Sequence, residues 1–88
     1  MAPALFHLDL ITPAGTVLAR DVSYVEAPGE DGRLGLLAGH QSCVIGLAAG
    51  RLNLRGPSGS LDAWDIGRGV MTVTAAAVTV LAPSATPA

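Results

Sequence analysis

Apolar and polar side chains alternate from the start of the chain. Ala4, Phe6, Leu8 and Leu10 share one face, all apolar; Leu5, His7, Asp9 and Ile11 share the other, which is polar at its centre. A period of two over such a run predicts a strand with one buried face. Pro13-Ala14-Gly15 breaks it, and Thr16 to Ala19 resumes an extended pattern. Asp21 to Ala27 predicts a further strand with imperfect alternation, Val22, Tyr24 and Glu26 on one face and Ser23, Val25 and Ala27 on the other. Pro28-Gly29-Glu30-Asp31-Gly32 has the chemistry of a turn, since Gly tolerates positive φ and Asp bonds its own backbone.

The same punctuation continues. Leu34 to Leu37 predicts a short strand, Gly39-His40-Gln41-Ser42 a loop, and Cys43 to Ala49 an apolar strand closed by Gly50. Arg51 to Arg55 alternates, with Leu52 and Leu54 on one face, and Gly56-Pro57-Ser58-Gly59 reads as a hairpin loop. Leu61 to Ile66, Val70 to Thr74 and Ala77 to Ala82 complete the strands. Their joints are Gly67-Arg68-Gly69 and Ala75-Ala76, the second without turn residues. Pro83 to Ala88 is small, polar and Pro-containing, which predicts a flexible tail at 83–88 after a domain at 1–82. No segment carries a capped helical stripe. Short strands separated by turn signals predict an all-β domain, a small β-sandwich or flattened barrel of about eight to ten mostly antiparallel strands.

Composition narrows the function. The chain has 88 residues, enough for one domain. Only 14% of them are charged, against about 25% in a typical domain, which favours a body that hides part of its surface in an assembly. Aromatic residues are limited to Phe6, Tyr24 and Trp64, so the core is built from Leu, Val, Ile and Ala. The net charge is −2, and the five basic residues are scattered arginines without aromatic interleaving, so no nucleic-acid partner is expected. A lone Cys43 excludes an internal disulfide. The N-terminal residues lack the pattern of a signal peptide. Gly69 to Ala88 is uncharged, but threonines and prolines interrupt it short of the ~20 apolar residues of a spanning helix. A soluble or peripheral protein is expected.

Several stretches go beyond a generic β pattern. Pro28-Gly29-Glu30-Asp31-Gly32-Arg33-Leu34-Gly35-Leu36-Leu37-Ala38-Gly39-His40 closely resembles the pattern of the F-type ATP synthase epsilon family: Pro-Gly, a short acidic turn, Gly-x-Leu-Gly, two apolar residues, then Pro-Gly-His. Phe6 to Gly15 is similar to the family's opening; Gly69 to Val73 and Val78 to Ala82 are similar to its last two sandwich strands. Arg33 stands where the family usually has an acidic residue, Ala38 replaces a Pro, Gln41-Ser42 replaces Ala-Pro, and Arg68 interrupts a Gly-Gly pair. Many members continue into a C-terminal helical hairpin. Taken as complete, this chain resembles the short form, to which the hairpin's roles in restraining hydrolysis and binding ATP do not carry over.

The resemblance implies a rotor part: a non-catalytic central-stalk subunit that binds the gamma subunit and the c ring, sits at the cytoplasmic face, touches the membrane only through the complex and needs no cofactor or metal. It places Glu30, Asp31, Arg33, Gly39, His40 and Gln41 at a partner interface. Read from the residues alone, each has a plainer account. Glu30, Asp31 and Arg33 fit a solvated turn, and His40 fits a locally hydrogen-bonded loop residue. Gly29, Gly32, Gly35 and Gly39 fit turn geometry, because no P-loop or dinucleotide pattern surrounds them. Cys43 is expected as a small buried hydrophobe. Trp64 is expected to pack in the core or to anchor a partner. Two other functions compete: a free-standing β-sandwich adaptor with an unrelated partner, and a small enzyme, which the missing acid–base or nucleophile constellation disfavours.

Overall fold

The computed structural model describes residues 4–88. Ten strands follow one another: β1 Phe6–Thr12, β2 Gly15–Val22, β3 Tyr24–Gly29, β4 Gly32–Leu36, β5 Cys43–Leu47, β6 Gly50–Arg55, β7 Leu61–Ile66, β8 Gly69–Val73, β9 Ala77–Leu81 and β10 Ala85–Pro87. They form a continuous sheet in the order β10-β7-β6-β3-β5-β8-β9-β1-β2, with β4 on the remaining edge of β3. All pairings are antiparallel except β1 with β9. The all-β expectation holds in class, strand number and direction.

The sheet folds over on itself at β3. Tyr24, Val25 and Glu26 pair with β6, whereas Gly29 pairs with Leu47 of β5, so one strand belongs to both layers. On the opposite side Arg20 of β2 makes an ion pair with Asp62 of β7 across the open seam. The interior is apolar row by row. Ile45, Met71, Val80, Leu10 and Leu18 are successive cross-strand partners, and the last four are buried. Val25, Ala27, Leu52, Leu54 and Ile66 meet them from the other layer. Burying each Leu or Val side chain stabilises the fold by about 1.5–3 kcal/mol, so these rows carry the domain.

Three sequence expectations change. The strand predicted over Asp21 to Ala27 divides at Ser23, where the chain passes from the first layer to the second. Val22 and Ser23 are both buried, so the alternation slips by one residue there. The Ser23 hydroxyl lies within hydrogen-bonding reach of the carbonyls of Arg55 and Gly56, which satisfies this buried polar side chain.

The Ala75-Ala76 joint works through Thr74. Its hydroxyl accepts from Ala77 N–H at 3.2 Å and its own N–H donates to the Ala77 carbonyl at 2.8 Å, a Ser/Thr turn that needs no Gly.

The tail placed at 83–88 contains β10, paired with β7 as Ala85 with Ile66, Thr86 with Asp65 and Pro87 with Trp64. Pro87 is accommodated because it closes the last strand in the sheet order, where a missing donor costs nothing.

Candidate partner-binding surfaces

The residues singled out in the sequence fall into two groups at opposite ends of β4. At one end, Glu30 and Asp31 form the tip of the β3–β4 hairpin between the paired Gly29 and Gly32. Gly32 has φ of +129°, a conformation that closes the hairpin and that residues with a Cβ rarely adopt. Backbone bonds fasten the tip to β5: Glu30 N–H to the Gly46 carbonyl at 3.0 Å, and Ala48 N–H to the Pro28 carbonyl at 2.8 Å. The Glu30 carboxylate lies over Gly46 and accepts from Arg68 at 3.2 Å. Asp31 is exposed and takes part in no ion pair among the described residues.

Arg33 leaves this tip and lies on the outer face of the second layer. Its Nε donates to Glu26 at 2.9 Å and its terminal nitrogen to the Arg51 carbonyl at 2.7 Å. Asn53 donates to the same Glu26 oxygen at 3.0 Å. Arg33 first, then Asn53, hold the Glu26 carboxyl below its ordinary pKa. Arg33 is therefore committed within the sheet and Glu30 lies back over β5, while Asp31 is left exposed at the hairpin tip.

At the other end of β4, Gly39, His40 and Gln41 lead back toward β5. His40 Nδ1 faces the Leu37 carbonyl, which makes it the protonated nitrogen, and the ring stands edge-on against Phe6 with centroids 5.1 Å apart. Its Nε2 is buried and unpartnered. His40 thus has the local anchoring that a loop residue can have, while Gln41 beside it is exposed.

Cys43 is exposed, not buried as expected. It shares a row with Val73 and Val78, but it opens β5 at the end away from Leu47, where β3 closes that strand's other edge. Trp64 is half-buried and packs on the core, opposite Leu52 on one side and Pro87 on the other. No group of three His, Cys, Asp or Glu among the described residues is placed to hold a metal.

Two features escaped the sequence. One is a hollow of about 400 Å³ at the Glu30 end, lined chiefly by Ile11, Pro13, Val70, Leu81, Ala82 and Pro83. The other lies at the His40 end, where Tyr24 and Arg55 become cross-strand neighbours and Leu61 continues the row. The Arg55 guanidinium sits 5.5 Å from the centre of the Tyr24 ring. Gly35 makes room for that ring, because a Cβ there would collide with the phenol. These contacts join four separate strands, so no local motif announces them.

Residues 5–88 match the family described as ATP synthase, Delta/Epsilon chain, beta-sandwich domain. The chain belongs to that family. It is 34% identical over 79 residues to the ATP synthase epsilon chain of Campylobacter fetus, covering 90% of this chain and 61% of that one. It is 36% identical over 83 residues to the epsilon chain of Rhodopseudomonas palustris strain TIE-1, covering 94% and 61%. It therefore spans about three fifths of the length of these relatives. Among solved structures it is similar to a chain of the Euglena gracilis mitochondrial ATP synthase OSCP/F1/c-ring complex, with TM-score 0.91, 28% identity, and coverage of 99% of this chain and 56% of that one. A chain of the Tetrahymena thermophila mitochondrial ATP synthase central stalk and c ring shares the fold, with TM-score 0.78 at 18% identity over 98% and 69%. No helix among the described residues is long and apolar enough to cross a membrane.

Proposed function

We propose that this domain is the sandwich part of a non-catalytic central-stalk subunit of an F-type ATP synthase, binding the gamma subunit and the c ring so that ion translocation is coupled to ATP synthesis. The observation that carries the reading is the family match over residues 5–88, nearly the whole domain. The fold agrees physically with that task. A junction in a rotor needs a stiff body and two surfaces held apart, and the domain offers an apolar core with candidate contact residues at both ends of β4. Exposed Asp31 at the hairpin tip, with Glu30 beside it, can meet polar loops of the c ring, and Arg33 braces the strand behind them through Glu26. Gly39, His40 and Gln41 belong to the second surface. The protein then works at the cytoplasmic face, touching the membrane only through the complex.

Co-purification of the tagged chain with the gamma subunit from the same organism tests this. Stable stoichiometric recovery is expected. Failure to recover a correctly folded gamma subunit would refute it and favour the unrelated-adaptor reading.

A further inference from the structure

We infer that the gamma subunit docks on the outer-face patch of Tyr24, Leu37, Arg55 and Leu61, and that it sets a carboxylate against Arg55 among apolar side chains. The inference rests on the central-stalk reading above and names the surface used.

Charge singles out this patch. The chain carries five arginines. Arg20 is paired with Asp62, Arg33 with Glu26, Arg51 with Asp65 and Arg68 with Glu30. Among the described residues Arg55 is the arginine in no ion pair. It is nevertheless fixed in place. Its guanidinium lies against the Tyr24 ring, which rests in turn over Gly35. A guanidinium oriented by an aromatic face keeps its donors available for a carboxylate. The only side-chain carboxylate among the described residues without an internal ion-pair partner is Asp31, at the far end of β4. Arg55 therefore awaits a charge from another molecule.

The surroundings suit a protein partner. Leu61, directly opposite Arg55 in the β6–β7 register, is 74% exposed, and Leu37 is 63% exposed. Leu37, Arg55, Ser23 and Pro57 line a hollow of about 350 Å³. Arginine and tyrosine are among the residues that dominate protein interface energetics, and the exposed leucines beside them add apolar surface that a partner can cover. A single cation on a domain of net charge −2 does not make the basic cluster that an anionic membrane surface selects.

Calorimetric titration of the gamma subunit into the chain tests the inference, with melting temperatures checking that each variant is folded. Arg55→Ala and Leu61→Ser are each expected to weaken binding about tenfold or more, and Arg55→Glu to weaken it further. Val44→Ser, an exposed position on the other layer, is expected to stay within about twofold of wild type, since contacts outside a hot spot are near neutral. If the wild type binds gamma and the patch variants match the Val44→Ser control, the patch is wrong and the central-stalk reading survives. Undiminished binding by Arg55→Glu overturns the carboxylate contact. If the wild-type chain does not bind gamma, both the patch and the reading beneath it fall.

Discussion

Two glycines in this domain look equally crowded and should behave very differently when replaced. A Cβ at Gly69 would fall on the backbone carbonyl of Leu81 and within 3.0 Å of Ala82 Cα; a Cβ at Gly46 would fall on the carboxylate of Glu30. The first obstacle is the β8–β9 ladder itself, beside the Val70–Leu81 pair. It yields only if strands separate. The second is the far end of a side chain that can swing into water, giving up an exposed bond to Arg68.

Gly69→Ala therefore forces overpacking against backbone, at the upper end of the usual range, about 3 kcal/mol. Gly46→Ala loses little beyond one surface ion pair, about 1 kcal/mol or less. For a domain of this size 1 kcal/mol shifts the melting temperature by about 4–8 °C, so about 12–24 °C is expected for Gly69→Ala and about 8 °C at most for Gly46→Ala. Thermal unfolding followed by circular dichroism reads both. The coupling sharpens the test: in a Glu30→Ala background the Gly46→Ala penalty should vanish, whereas no change at the Leu81 side chain can rescue Gly69→Ala. Equal shifts for the two variants, or a Gly69→Ala protein melting within about 4 °C of wild type, would refute the reasoning.

Other expectations follow from side chains on the outer faces. His7 lies between Asp21 at 3.2 Å and Asp9 at 3.1 Å, which raise its pKa above 6.5 in that order. Its contribution to stability is present below the unfolded value and is lost as pH rises through the folded one; NMR titration should find Asp21→Asn lowering the His7 midpoint, and a wild-type midpoint at or below 6.5 would contradict it. Glu26, held down by Arg33 and then Asn53, works in the opposite sense: it stabilises above its unfolded pKa and the contribution disappears as pH falls through the folded value, so Glu26→Gln should flatten the acid limb of a stability–pH curve. Cys43, exposed at the start of β5, should be alkylated in the native protein without unfolding; protection until denaturant is added would overturn its placement.

The alternation that revealed β1 survives in the structure because one face of that strand is buried and the other is not: Phe6, Leu8 and Leu10 go inside, His7 and Asp9 outside. The family pattern around Pro28 to His40 was equally legible, because a hairpin tip, a close approach at Gly35 and a loop return each demand particular residues. What failed to appear depended on distant chain. Ser23 reads as an ordinary strand residue until the carbonyls of Arg55 and Gly56 are beside it. Cys43 reads as core because its neighbours are apolar, but only the β3–β5 register reveals an open edge there. Thr74 is a local signal of a different kind, since its hydroxyl does the work expected of a Gly at a turn. Of the candidate site, Glu30 and Asp31 were readable as a charged tip. Arg33 was not separable from them until the β3–β4 pairing set it beside Glu26.

On the central-stalk reading proposed above, the pattern of ion pairs bears on how the domain would recognise its partners. Each exposed pair adds at most about 1 kcal/mol, so Arg20–Asp62, Arg51–Asp65 and Glu30–Arg68 do not hold the domain together; the apolar rows do. What the pairs accomplish is to cancel charge locally along the sides of the body. Asp31 and Arg55 stay uncancelled among the described residues, one at each end of β4 and of opposite sign. Rim charges of this kind steer encounter and reject like-charged surfaces more than they tighten binding. A body neutralised along its flanks and marked with opposite charges at its two ends is attracted correctly in one orientation and poorly in the reverse one. On the proposed reading, a part seated between two different partners needs that polarity built in before any contact forms.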